Sequence, residues 1–119
     1  MTLTREEILA MEIGNELDIE VAVTVMGRER DKFRSGWIRL GDLSTYPKQY
    51  SKDISAAWEV VTHLMNDHKD VLVQGVSFEK NRLFDCAIYE HEDELAVTSM
   101  QSSAPEAICK CALLAVLNL

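Results

Sequence analysis

The spacing of apolar residues changes several times along the chain, and each change marks an element. Thr4 followed three residues later by Glu7 predicts a capping box, with Ile8, Leu9 and Met11 as the apolar side of a short first helix that Gly14 ends. Over residues 17–25, Leu17, Ile19, Val21, Val23 and Val25 alternate strictly, which is a strand pattern. The same stretch sets Leu17, Val21 and Val25 at i, i+4 and i+8, with Gly27 where a glycine would end a helix, so the pattern leans to strand but leaves helix open. Residues 27–53 show no sustained period and read as one long, mostly irregular connection. Ser51 or Asp53 then caps an amphipathic helix over residues 54–66, with Ile54, Ala57, Trp58, Val61, Leu64 and Met65 as its expected buried stripe.

Three strands are predicted next, over residues 71–78, 83–90 and 95–100, and their short polar connections make them an antiparallel meander. The first has Val71 and Val73 on one face and Leu72, Val76 and Phe78 on the other, so it wants cover on both sides. Ser102, Ser103, Pro105 and Glu106 start a last helix that runs to about Asn118. From Ala107 onward its only polar residues are Lys110 and Asn118. A helix on a sheet normally keeps a polar stripe toward water, so this one must be covered all round. A second copy of the chain would do this, giving a homo-oligomer in which the last helix packs against its neighbour; the N-terminal helices of the same chain are the other solution.

With 119 residues, 47% of them hydrophobic, the sequence reads as a single domain over residues 1–119 with an ordinary core. No apolar run approaches the roughly 20 residues of a membrane span. The first thirteen residues hold three glutamates and no apolar signal-peptide segment, which leads to an expected cytoplasmic setting. Three cysteines, an odd and sparse set, are expected to stay reduced.

Charge adds more than its sum. The net charge of −8 argues against DNA, RNA or anionic membrane as partners. Yet residues 27–52 hold seven cations against three acids, while the remainder holds five against seventeen. Phe33, Trp37, Tyr46 and Tyr50 are interleaved with the cations of this basic island. Cations beside aromatic faces suit a ligand with phosphates and flat rings, such as a nucleotide. The plain alternative is a solvated loop whose aromatics cover the edge of the core.

Enzyme chemistry is not legible. Cys109 and Cys111 stand two apart on a helix, about 200° from one another, so they cannot chelate one ion. His63, His68 and His91 belong to no metal or triad signature, and glycine-rich phosphate loops, nucleophile elbows and HExxH pairs are missing. No metal and no cofactor are expected. Asp85, between Phe84 and Cys86, could line a pocket; with a histidine it would make a weaker hydrolase option. Lys110 is a lone cation in an apolar helix, either paired with Glu106 at i, i+4 or seeking an anion such as a ligand phosphate.

Several ordered blocks carry a resemblance. Thr4-Arg-Glu-Glu-Ile-Leu-Ala-Met11, Glu16-Leu-Asp18, Val25-Met-Gly27, Tyr50-Ser-x-Asp53-Ile-Ser-Ala-Ala-Trp58-Glu-Val-Val61 and Ala104-Pro-Glu-Ala-Ile-Cys109 with Ala112-Leu-Leu-Ala-Val-Leu117 resemble the phage ABA sandwich domain family. The resemblance implies an α+β fold, an α/β/α sandwich with a central antiparallel β-meander of about three strands covered by helices on both faces. It also implies that residues 17–26 are helical, against the alternation.

The chain is further similar to the Thoeris anti-defence nucleotide-sponge proteins of phages. These bind cyclic ADP-ribose-type signals without cleaving them, assemble as homo-oligomers, and use arginines beside the second helix and in the last helix near an intersubunit pocket. Arg28, directly after Val25-Met-Gly27, fits the first arginine. Lys110 stands where the family commonly has arginine after Ile-Cys, which keeps the charge and loses the bidentate fork. The expected ligand-binding set is therefore Arg28 and Lys110 on phosphates, Trp37 or Phe84 on a base, and Asp85 lining the pocket. The expected protein is a non-enzymatic, phage- or prophage-encoded binder of a nucleotide-derived immune signal in the cytoplasm of the bacterial host. The alternative is a phage structural or interaction protein without a small ligand, whose apolar C-terminal helix is a partner face.

Overall fold

The computed structural model describes residues 3–119. α1 (Arg5–Ala10) opens on the expected capping box: Glu7 N–H donates to Thr4 Oγ1 at 3.2 Å, and Thr4 N–H donates to the Glu7 carboxylate at 3.1 Å. α2 (Asn15–Glu20) runs on directly into a π-helical segment, Val21–Val25, where Met26 N–H donates to the Val21 carbonyl at 3.0 Å. The strand pattern of residues 17–25 is thus overturned in favour of the helix that the resemblance implies. Leu17, Asp18, Ile19, Val21, Ala22 and Val25 are all buried, so the helix is packed around much of its circumference. Alternation ceases to be diagnostic when more than one side of a helix is covered. Gly27 at φ +75° ends the helix in the left-handed conformation that favours glycine.

Residues 27–53 are more regular than expected. They contain a small antiparallel sheet, β1 (Glu29–Arg30), β2 (Ile38–Leu40) and β3 (Leu43–Thr45), in that order. Strands of two or three residues are too short to leave a period in the sequence. Buried Ile38 anchors this mini-sheet to the core.

α3 (Ile54–Asn66) is capped by Asp53, whose carboxylate accepts the Ser55 N–H at 2.9 Å. Its expected stripe needs correction. Ala56, Ala57, Val60, Val61 and Leu64 face inward, whereas Ile54, Trp58 and Met65 are exposed. The two alanines give α3 a slim inward side against the last helix, and the bulky residues are turned out.

The meander is β4 (Lys69–Phe78), β5 (Asn81–Glu90) and β6 (Asp93–Gln101), antiparallel in sequence order and each turn only two residues long. Val71, Ile88 and Ala96 share one rung, and Val73, Cys86 and Thr98 another; together they form the inner face. α4 (Ala104–Val116) starts at Ser103, whose hydroxyl accepts the Glu106 N–H at 3.3 Å. It lies on β5 and β6 with α3 beside it, and α1, α2 and the π-helical segment pack on its far side. The result is an α+β sandwich, as expected, with the described helices of this chain stacked on the inner face of the meander.

Residues 105–114 of α4 are buried without exception. Over these residues the cover that the apolar helix requires comes from within the chain, the second of the two solutions, while Val116 at its end remains 41% exposed. On the opposite face of the meander, Leu72, Ala87 and Val97 form a rung that no helix of the same chain closes over, and Leu72 remains 57% exposed. Among the described residues, no helix is long and apolar enough to cross a membrane.

Candidate functional site

The five residues expected to bind a ligand do not converge within one chain. Phe84 packs against the core on the inner side of the meander, with its ring over Gly75. Asp85, its neighbour, lines a shallow hollow of about 220 Å³ on the opposite face with Leu72, Gln74, Tyr89, Glu94 and Val97, and its carboxylate accepts the Met100 N–H at 2.8 Å. No histidine lines that hollow. Lys110 is in the interior, and only Arg28 and Trp37 lie in the basic island.

Lys110 is 3% exposed and its ammonium is fully engaged. It donates to the Glu106 carboxylate at 2.7 Å, to the Leu9 carbonyl at 2.9 Å and to Gln101 Oε1 at 3.5 Å. Three donors meet three acceptors, so in this arrangement none is left for a ligand. Burial alone would raise the Glu106 pKa, but hydrogen bonds from Lys110 and Ser102 outweigh it and hold the carboxyl below its ordinary value. The pair ties α4 to the end of α1, which is the structural member of the two readings the sequence left open.

The basic island is organised around Asp31 and Trp37. The Asp31 carboxylate accepts from the Ser44 hydroxyl and from the N–H groups of Phe33 (2.8 Å) and Arg34 (3.3 Å). The Ser44 bond leads the causes that hold its pKa low. Asp31 N–H in turn donates to the Trp37 carbonyl at 3.0 Å. This turn delivers the Arg34 guanidinium 4.8 Å above the Trp37 ring, and the Tyr46 ring lies 4.4 Å from Trp37 at 39°. Gly36, at φ +85°, lets the turn close against α2: Asn15 donates to its carbonyl at 3.1 Å, and a Cβ there would stand 2.8 Å from Asn15 Oδ1.

Two of the seven cations are neutralised, Arg30 by Glu20 and Lys48 by Glu59 at 2.6 Å. Among the described residues, Arg28, Lys32, Arg34, Arg39 and Lys52 form no ion pair. Arg28 follows the π-helical segment directly, its N–H on the Ala22 carbonyl at 2.9 Å. Burial raises the Tyr50 phenol pKa against the opposing charges of Lys48 and Arg28. The island thus offers unneutralised cations around a partly open aromatic pair.

A cavity of about 360 Å³ adjoins this pair, lined by Asn15, Asp18, Tyr46, Pro47, Gln49 and Lys52. Asp18 is buried at 4% exposure and accepts the Ser51 N–H at 2.8 Å. Burial pushes its carboxyl above the ordinary value, against the pull of Ser51 and Lys52. Sequence reasoning placed no role on Asp18, although an acid between Leu17 and Ile19 in a matched block is a usable signal. A larger hollow, about 530 Å³, is lined by Glu7, Glu12 and Glu16 and by no cation, so it repels phosphates. Among the described residues, no group of three His, Cys, Asp or Glu side chains is placed to hold a metal ion.

Comparison with known proteins bears on the fold and the family. A crystal structure of a phage protein from Bacillus cereus ATCC 14579 superposes with a TM-score of 0.71 at 24% identity, covering 89% of this chain and 93% of that one. At that identity the likeness speaks for a shared fold. No curated protein matches the chain. A family model described as the Phage ABA sandwich domain matches residues 19–113, from α2 to α4, and the chain accordingly belongs to the phage ABA sandwich domain family.

Proposed function

We propose that this protein is a non-enzymatic, phage- or prophage-encoded binder that sequesters a nucleotide-derived immune signal, of the cyclic ADP-ribose or cyclic nucleotide type, in the cytoplasm of the bacterial host. The observation that carries the reading is the Arg34–Trp37–Tyr46 stack amid unneutralised cations. Every base has a π-face that such a platform accepts, and Arg28 and Arg34 supply donors in the fork geometry that suits phosphate. Lys110 ties α4 to the end of α1. Sequestration needs affinity and no reacting group. Thermal shift tests the reading with cyclic ADP-ribose, ADP-ribose and a cyclic dinucleotide. Ligand at a hundredfold excess over Kd adds about 2.7 kcal/mol to stability. A clear rise in Tm with at least one of them is expected, and none with any would sink the reading.

The interaction-protein alternative moves to a different surface, because α4 is buried. Ile54, Trp58 and Met65 leave an exposed apolar side on α3. Self-association of this kind is read by light scattering at micromolar concentration. A mass that falls to one chain on Trp58→Asp would favour the interaction reading, and a mass indifferent to that change would not.

A further inference from the structure

The cavity beside Tyr46 has a division of charge that suits one part of a nucleotide. Its carboxylate, Asp18, is almost wholly buried, whereas Lys52 and Tyr46 are exposed. A carboxylate is acceptor-only and offers about four lone-pair sites. The Ser51 N–H accounts for one of them, on Oδ1. Ser51 holds this carboxylate in place, and its remaining lone pairs can accept from a ligand that donates into the cavity. Tyr46 belongs both to the cavity wall and to the Trp37 stack, so a ring lying on the stack can turn an edge into the cavity. Lys52, without an ion-pair partner among the described residues, is placed for the anionic end of the same molecule.

We propose that this cavity receives the edge of a nucleobase carrying N–H donors, with the Asp18 carboxylate as acceptor, so that an amino-bearing base is selected over one without the amino group. The inference rests on the nucleotide reading above and adds which end of the ligand goes where. Gln49, an exposed cavity residue, can close the site without touching Asp18 or Trp37 when made larger.

The test compares adenosine 5′-monophosphate with purine riboside 5′-monophosphate, which differs only in lacking the amino group, by isothermal titration. The wild type is expected to prefer the first by about tenfold or more, the scale of one hydrogen bond to a charged acceptor. Asp18→Asn retains an oxygen for the Ser51 N–H and should bind both ligands within about twofold, since its amide can donate as well as accept. Gln49→Trp should weaken adenosine monophosphate binding by a similar factor, which decides the matter even if the Asp18 variant fails to fold. Equal binding of both ligands by the wild type, with loss in Trp37→Ala, overturns this inference and leaves the nucleotide reading standing. Discrimination that persists in Asp18→Asn overturns it too. No binding of either ligand by the wild type overturns this inference, and the reading beneath it falls as well only if cyclic ADP-ribose, ADP-ribose and the cyclic dinucleotide also leave Tm unchanged.

Discussion

The Asp18 carboxylate accepts the Ser51 backbone N–H at 2.8 Å, and that one bond ties α2 to the approach of α3 across 33 positions of sequence. The Ser51 hydroxyl adds a second tie by accepting the Gly14 N–H at 3.0 Å. Between the two ends lie the π-helical segment and most of the basic mini-sheet. The latch therefore holds the base of the segment that carries Arg28, Arg34, Trp37 and Tyr46, and the aromatic platform is fixed at its root.

The latch has a pH signature. The Asp18 pKa is raised above its ordinary value of 3.8, mainly by burial. A raised folded-state value means that its contribution to stability is fully present below about pH 3.8 and is lost as pH rises through the higher folded value. Asp18→Asn, which keeps an acceptor for Ser51, should therefore gain stability relative to the wild type between pH 3 and pH 7. Urea unfolding at the two pH values checks this; a relative stability that falls with pH contradicts it. Asp18→Ala instead leaves the Ser51 N–H without its partner and should cost about 1–3 kcal/mol.

The Glu106–Lys110 pair shows the opposite sign. Hydrogen bonds from Lys110 and Ser102 overcome burial and keep the Glu106 pKa below its ordinary 4.5. Its contribution is present above pH 4.5 and is lost as pH falls through the lower folded value. Lys110→Ala strands a buried carboxylate and should destabilise by about 3–5 kcal/mol, whereas replacing both partners with apolar residues should come close to neutral. Guanidinium unfolding of the single and double variants measures both. A harmless single variant would show that the pair does not hold α1 to α4.

The three thiols should be silent in the native protein. The hydrogen bond with Cys111 and burial push Cys86 up, and burial pushes Cys109 up. Cys111 donates to the Cys86 carbonyl at 3.3 Å. Reactivity follows the thiolate, so a thiol reagent at pH 8 should label none until denaturant is added and all three afterwards. Rapid labelling of the native chain would mean that α4 leaves its seat.

Much of this fold can be read from the sequence, and the parts that cannot share a physical cause. The capping box at Thr4, the meander and the burial of residues 105–114 of α4 follow from local pattern. What covers α4 does not, because a hydrophobic surface does not specify which chain meets it. The alternation of residues 17–25 misleads for the same reason: it records burial on several sides and leaves the period of the backbone undetermined. At the site, the basic aromatic island is visible in composition, whereas the pairing of Arg34 with Trp37 depends on a turn closed by Gly36. Phe84 and Asp85 show what a linear reading leaves out. Adjacent residues on a strand point to opposite faces, so they could not share a pocket within one sheet. Asp18 escapes notice because its partner, Ser51, is remote in sequence.

Trp37 and Arg28 should both carry much of the affinity for a signal molecule. Truncation of a stacked aromatic costs about 1–3 kcal/mol per base. Trp37→Ala should weaken cyclic ADP-ribose binding by that amount, measured by isothermal titration, and Arg28→Ala should cost about 1.5–3 kcal/mol, as for a hydrogen bond to a charged group. Arg39→Ala, at an unpaired cation outside the stack, should cost less and lose its effect as salt is raised. Equal losses at all three positions would leave a diffuse basic surface.

The most direct measurement of the central claim is recovery of the ligand. The protein is saturated with cyclic ADP-ribose, freed of unbound ligand, denatured by heat, and the supernatant is analysed by mass spectrometry. Stoichiometric release of unaltered cyclic ADP-ribose is the predicted result. Release of a hydrolysed product would make the protein an enzyme, and an empty supernatant would show that the Arg34–Trp37–Tyr46 surface does not hold this signal; either contradicts the account.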